Sequence, residues 1–136
     1  MTISRFNPEG LHNPPGYHHV TVVTSGKTAH LAGQCPLDPA GNVVGGGVLA
    51  QVDQVVENTR IALASVGATP DDVVRTVIYV TDDADRSLGE VWERLRASPL
   101  GPAFTTASTL VGVSRLGFEG QLVEVDVTAA LSDPAT

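Results

Sequence analysis

The sequence predicts an α+β domain in which two helices pack on one face of a mixed β-sheet. Three observations carry that expectation. Short β-branched runs and two amphipathic stretches follow one another as strand, strand, helix, strand, helix, strand, strand. Each helical stretch is closed by Gly or Pro. At 136 residues the chain, taken as one domain over residues 1–136, buries a core of its own without a linker.

Taken in order, Ile3–Phe6 reads as a short edge strand, followed by the turn-forming sets Asn7-Pro8-Glu9-Gly10 and Asn13-Pro14-Pro15-Gly16. Val20–Val23 is β-branched, and Ser25-Gly26-Lys27 is read as a turn that folds it back onto Thr28–Ala32 in a first hairpin. Gly45-Gly46-Gly47 frees the backbone before a helix over Val48–Val66. There Val48, Val52, Val55, Val56, Thr59, Ala62, Leu63 and Val66 recur at steps of three and four. Gly67 is placed to close this helix in the left-handed conformation.

Val73–Val80 is almost continuously β-branched, which predicts a central strand covered on both faces. Thr81-Asp82-Asp83 is read as the cap of a second helix whose apolar face is Ala84, Leu88, Val91, Trp92 and Leu95. Thr105–Val113 and Leu122–Leu131 alternate in polarity, and the turn between them reads as the bend of one hairpin. Helices on one face leave the other open. Val22, Leu31, Leu110 and Gly112 are the candidates to line it, and an apolar sheet face of that kind buries itself against another subunit.

Composition narrows the function. A net charge of −7 with only eight scattered Lys and Arg opposes contact with phosphate backbones, so no nucleic-acid partner is expected. No apolar run approaches the ~18 residues of a membrane span. There is no charged-then-apolar leader either, so no membrane association and a cytoplasmic location are expected. Cys35 is the single cysteine, which excludes an internal disulfide and a cysteine-based metal cluster. His18 and His19 are adjacent and face opposite ways in an extended segment, which argues against a shared metal ion.

Several motifs then coincide. Tyr17 followed by His18, Gly33-Gln34-x-Pro36, Asp38-x-x-Gly41-x-x-Val44 and Val66-Gly67-Ala68-Thr69 occur in that order. They are followed by Asp72-Val73-Val74-x-Thr76-x-x-Tyr79-x-Thr81-Asp82 and Leu122-Val123-Glu124-Val125-Asp126. Together they resemble the Rid family, also called YjgF or reactive intermediate/imine deaminases and formerly labelled endoribonuclease L-PSP. The resemblance runs from about Gly16 to Ala130.

It implies a chorismate-mutase-like fold of the bacillus type and a homotrimer with small-molecule clefts between subunits. It also implies hydrolysis of reactive enamines and imines without cofactor or metal. By the same resemblance Glu124 positions water as the catalytic carboxylate, and Tyr17, Ala32, Gly33 and Ser108 fall at positions that line the substrate site; His19 and Leu110 are further candidates for it from the residues themselves. His19 would act there as an acid or base near neutral pH.

The chain departs from the family pattern at three polar anchors. The arginine that binds a substrate carboxylate falls on Ser108, or on Phe104 in an alternative register. The serine before Gly33 is Ala32, and an asparagine of the second helix is Gly89. A bidentate Arg–carboxylate contact contributes about 1.5–3 kcal/mol, which no hydroxyl replaces. The expectation is therefore a deaminase of an imine or enamine without a tightly held carboxylate, with a non-catalytic metabolite-binding trimer as the alternative. RNA cleavage is disfavoured by the absence of a basic stripe or stacking platform. Arg5, Arg75 and Arg115 are the candidates to restore the missing charge, though solvation is the simpler reading of each.

Overall fold

The computed structural model describes residues 2–132; residues 1 and 133–136 of the expected domain lie outside them. The strands are β1 (Ile3–Phe6), β2 (Val20–Val23), β3 (Lys27–His30), β4 (Val73–Thr81), β5 (Ala107–Val113) and β6 (Val123–Leu131). The helices are α1 (Gly47–Ser65) and α2 (Leu88–Arg96), and short 3₁₀ turns occupy Pro70–Asp72 and Gly101–Thr105. No helix among the described residues is long and apolar enough to cross a membrane.

The main sheet has the order β3-β6-β4-β5, with β4 and β5 parallel and the other pairs antiparallel. Both helices pack on the same face. Val48, Val52, Val55 and Leu63 of α1 and Val91, Trp92 and Leu95 of α2 join Ile78, Val80, Val123, Val125 and Val127 in one buried core. Burying such side chains contributes about 1.5–3 kcal/mol each. That helix periodicity was readable in the sequence, except that Val66 lies past the end of α1 and is exposed. The helix closes as foreseen: Gly67 takes φ +73°, its N–H reaches the Ala64 carbonyl, and the Ala68 N–H reaches that of Leu63.

Two expected pairings are overturned. β5 and β6 do not form a hairpin, because β4 lies between them and bonds to both. The α2 crossover returns the chain parallel to β4, as a strand–helix–strand unit requires. The most apolar strand thereby takes the central slot. β2 does not pair with β3; it pairs antiparallel with β1, whereas β3 pairs with β6. The Gly26 turn (φ +109°) passes the chain from one sheet to the other. Arg5 fastens the two-stranded sheet by donating to the carbonyls of Asp71 and Val73, both at 2.8 Å.

The two faces of the main sheet also differ from expectation. Ser108, Leu110 and Gly112 pair with Thr76, Ile78 and Val80 and so point toward the helices, not onto the open face. Leu31 packs against the core, and Val22 belongs to the small sheet. The open face carries Val77, Tyr79, Thr109, Val111, Glu124 and Asp126. β4 is therefore buried on one face and only half-buried on the other within a single chain.

The start of α2 is a further correction. Ser87, not Thr81-Asp82-Asp83, is its N-cap: Ser87 Oγ accepts the Glu90 N–H at 3.1 Å, and the Glu90 carboxylate accepts the Ser87 N–H at 3.3 Å. Asp85 instead serves α1, accepting the Val48 N–H at 2.8 Å. That hydrogen bond holds the Asp85 carboxyl below its usual range. It sits so close to Gly47, at φ +88°, that a Cβ there would collide with it. Gly47→Ala is expected to destabilise the fold by about 1–2 kcal/mol through the left-handed backbone alone. A lowered urea midpoint with unchanged slope checks this.

Candidate functional site

Two clusters of site residues form, one on each face of the main sheet. The first is an open cavity of about 860 Å³ on the helix side. Its apolar wall is Tyr17, Leu49, Trp92 and Leu110, and Ser108 and Arg86 are among its polar groups. Tyr17 is brought there by Trp92, whose Nε1–H donates to the Pro15 carbonyl at 2.9 Å while the two rings meet edge to face at 6.1 Å. The Tyr17 hydroxyl is 3.2 Å from His12 Nε2. His19 lies behind this pair, edge-on to both rings, with its Nε2 on the His12 carbonyl at 2.8 Å.

Ser108 lines the cavity with its hydroxyl already engaged. Thr76 Oγ1 donates to it at 2.6 Å, and it donates in turn to the Thr106 carbonyl at 3.0 Å. Gly89, where the family pattern has an asparagine, also lines the cavity and leaves it open. Phe104, the alternative position for the missing arginine, is buried in the core beside Trp92.

The second cluster lies on the open face. Glu124 Oε1 accepts from Cys35 Sγ and from Gln121 Nε2, each at 3.2 Å. Gln121 is buried, and its remaining bonds to Val123 and Phe118 fix its amide. Glu124 Oε2 is turned toward Gly33, where any Cβ would run into the carboxylate. Gly33 is thus a close-approach glycine. It sits in the extension of β3, where Leu31 and Gln34 bond to Val127 and Val125 of β6. The neighbouring Ala32 carbonyl accepts from Gln34 Nε2 at 3.0 Å. Asp126 accepts the Tyr79 hydroxyl at 3.0 Å; burial first, and then this hydrogen bond, raise the Tyr79 pKa.

Of the sequence-named residues, Tyr17, Ser108 and Leu110 thus meet on one side, and Ala32, Gly33 and Glu124 on the other. No single chain joins them. Arg5, Arg75 and Arg115 all lie away from the cavity: Arg5 is bonded to backbone, Arg75 to Ala107 and Thr109, and Arg115 lines a separate polar hollow with Asp83. Arg86 and Arg94 are the cavity's cations, and sequence reasoning missed both. Gln121 and His12 were missed as well. Gln121 stood three residues before Glu124, but its inward turn depends on the loop at 118–121.

Cys35 is a donor here. Burial first, and then the Glu124 carboxylate, push its pKa from 9.0 up to about 11. The folded chain therefore holds this proton more tightly than the unfolded one. Stability from this source is complete below pH 9.0 and is lost as pH rises toward about 11. Alkylation by iodoacetamide near neutral pH is expected on the order of 100-fold more slowly than for an unperturbed thiol. The rate should climb with pH, and Glu124→Gln should accelerate it; mass spectrometry of timed aliquots measures both.

The family model described as Endoribonuclease L-PSP matches residues 11–131. Protein DfrA of Myxococcus xanthus is 40% identical over 116 residues, 83% of each chain. The RutC family protein PH0854 of Pyrococcus horikoshii is 32% identical over 110 residues, 79% of this chain and 82% of that one. The human 2-iminobutanoate/2-iminopropanoate deaminase is 28% identical over 108 residues, 76% of this chain and 78% of its own. Among solved structures, the Rid family protein YyfB of Yersinia pestis superposes with a TM-score of 0.80 at 33% identity, covering 96% of this chain and all of that one. With a family match over residues 11–131 and a solved Rid family structure that superposes over 96% of its length, the chain belongs to the YjgF/Rid family.

Proposed function

We propose that the protein acts as a single-domain, cytoplasmic homotrimer that hydrolyses a reactive imine or enamine. The site lies where the open face of one copy, with Glu124, meets the cavity of the next, with Tyr17, Ser108 and Leu110. One observation carries this reading: the two halves lie on opposite faces of the same sheet. Only a second copy can bring them together. The half-buried Val77, Tyr79 and Val111 on the open face offer apolar surface for that contact.

The chemistry follows from Glu124. With Oε1 fixed by Cys35 and Gln121, Oε2 is the oxygen placed to accept a proton from water. Water oxygen adds to the carbon of the protonated imine as Glu124 takes one water proton, and the C=N pair moves to nitrogen, giving a neutral carbinolamine. Glu124 then returns that proton to the nitrogen, the C–N bond breaks as the hydroxyl oxygen forms the C=O bond and gives up its proton to Glu124, and ammonia leaves a carbonyl product. An enamine enters the same route after protonation at carbon. The positions of Tyr17 and the apolar wall suit a substrate body held by packing rather than by charge.

Glu124→Ala is expected to reduce kcat/KM for ammonia release from freshly generated imines by about 100-fold or more, with folding intact. Leu110→Trp, which fills the cavity, should also inactivate. Mixed and reassembled, the two inactive variants should regain activity, because some clefts then combine an intact Glu124 face with an intact cavity. Absence of such complementation overturns the shared site. The engaged hydroxyl of Ser108, standing where the family carries an arginine, favours a second reading as a metabolite-binding trimer. That reading predicts a saturable rise in Tm with no turnover.

A further inference from the structure

The helix-side cavity contains four charged side chains besides its apolar wall: Arg86, Glu90, Glu93 and Arg94. Three of them are committed. The Arg94 guanidinium holds the Asp53 carboxylate through two bonds of 3.0 and 2.7 Å. Glu93 pairs with Arg96 at 3.3 Å, and Glu90 accepts the Ser87 N–H in the α2 capping box. The hydroxyl of Ser108 is engaged within the sheet. Arg86 alone makes no hydrogen bond or ion pair among the described residues.

Asp85, its neighbour in sequence, feels the Arg86 charge but makes no ion pair with it, its carboxylate accepting the Val48 N–H at the N-terminus of α1 instead. Arg86 thus presents an uncommitted set of five N–H donors beside a wall of Leu49, Trp92 and Leu110.

We propose that Arg86 is the anion-recognition group of this cavity, selecting ligands that carry a carboxylate on a bulky apolar body. Its location rests on the preceding assignment of the cavity as the ligand site. The charge comes from the loop before α2 instead of from β5, so a carboxylate would sit at the rim and the apolar body against Trp92 and Leu110. Because Arg86 is exposed, water screens the contact, and its grip is looser than that of a guanidinium in a dry site. A carboxylate is recognised, but weakly held.

The test is calorimetric titration with α-ketoisocaproate and its methyl ester, which share a body and differ in charge. Wild type should bind the acid in preference to the ester. Arg86→Ala should weaken the acid by about 3- to 10-fold while leaving the ester unchanged, and Arg86→Lys should recover part of the loss. Raised salt should abolish the preference in wild type. Equal binding of acid and ester by wild type, equal losses for both in Arg86→Ala, or no saturable binding of the acid at millimolar concentration would overturn the proposal. The assay needs no turnover. A protein that hydrolyses no imine but keeps the Arg86-dependent preference refutes the hydrolase reading and supports this one; hydrolysis without the preference does the reverse.

Discussion

The position of β4 between β5 and β6 is the constraint on which the rest of this structure depends. A strand with neighbours on both edges bonds its whole backbone, and its β-branched residues suit that place. Once β4 is central, the register with β5 and β6 assigns every side chain on those strands to a face. Thr76, Ile78 and Val80 draw Ser108, Leu110 and Gly112 toward the helices, and Tyr79 and Val77 draw Glu124 and Asp126 the other way. Because the pleat has a period of two, shifting either partner by one residue would exchange the clusters.

The cavity is assembled from segments distant in the chain. Trp92 of α2 joins the Pro15 carbonyl, the Tyr17 ring and Phe104 after the second helix. Thr21 reaches Thr106 at 2.6 Å and accepts the Ala107 N–H at 3.0 Å, so the amino-terminal sheet also docks at the start of β5. His18 Nδ1 meets the Thr105 carbonyl in the same region. These contacts convert a proline-rich, otherwise irregular segment into a wall that holds Tyr17 in place.

The open-face cluster works by a different economy of hydrogen bonds. Two donors converge on one oxygen of Glu124, one of them a thiol that burial keeps protonated. The carboxylate is thereby oriented without a cation beside it. On the helix side the cation is present but exposed, and the hydroxyl that stands in the family's arginine position serves the sheet rather than a ligand. The carboxylate on one face is held by two donors, and Arg86 on the other lies open to water. That combination agrees with a ligand held chiefly by its apolar body.

The sequence by itself determined the two helices, their buried faces, the Gly67 closure of α1 and the apolar character of β4. These depend on residues within a few turns of one another, so local spacing encodes them. It also carried, through its motifs, the family. The start of α2 was not among them: the cap expected at Thr81-Asp82-Asp83 lies at Ser87.

Only the tertiary structure decided which strands pair, because alternating patterns on Thr105–Val113 and Leu122–Leu131 are equally compatible with a hairpin and with a third strand between them. Strand pairing in turn decided that Ser108 and Glu124 part company and that Arg86 reaches the cavity. No spacing in the chain relates residue 86 to residue 108, since their proximity comes from the packing of α2 against β5.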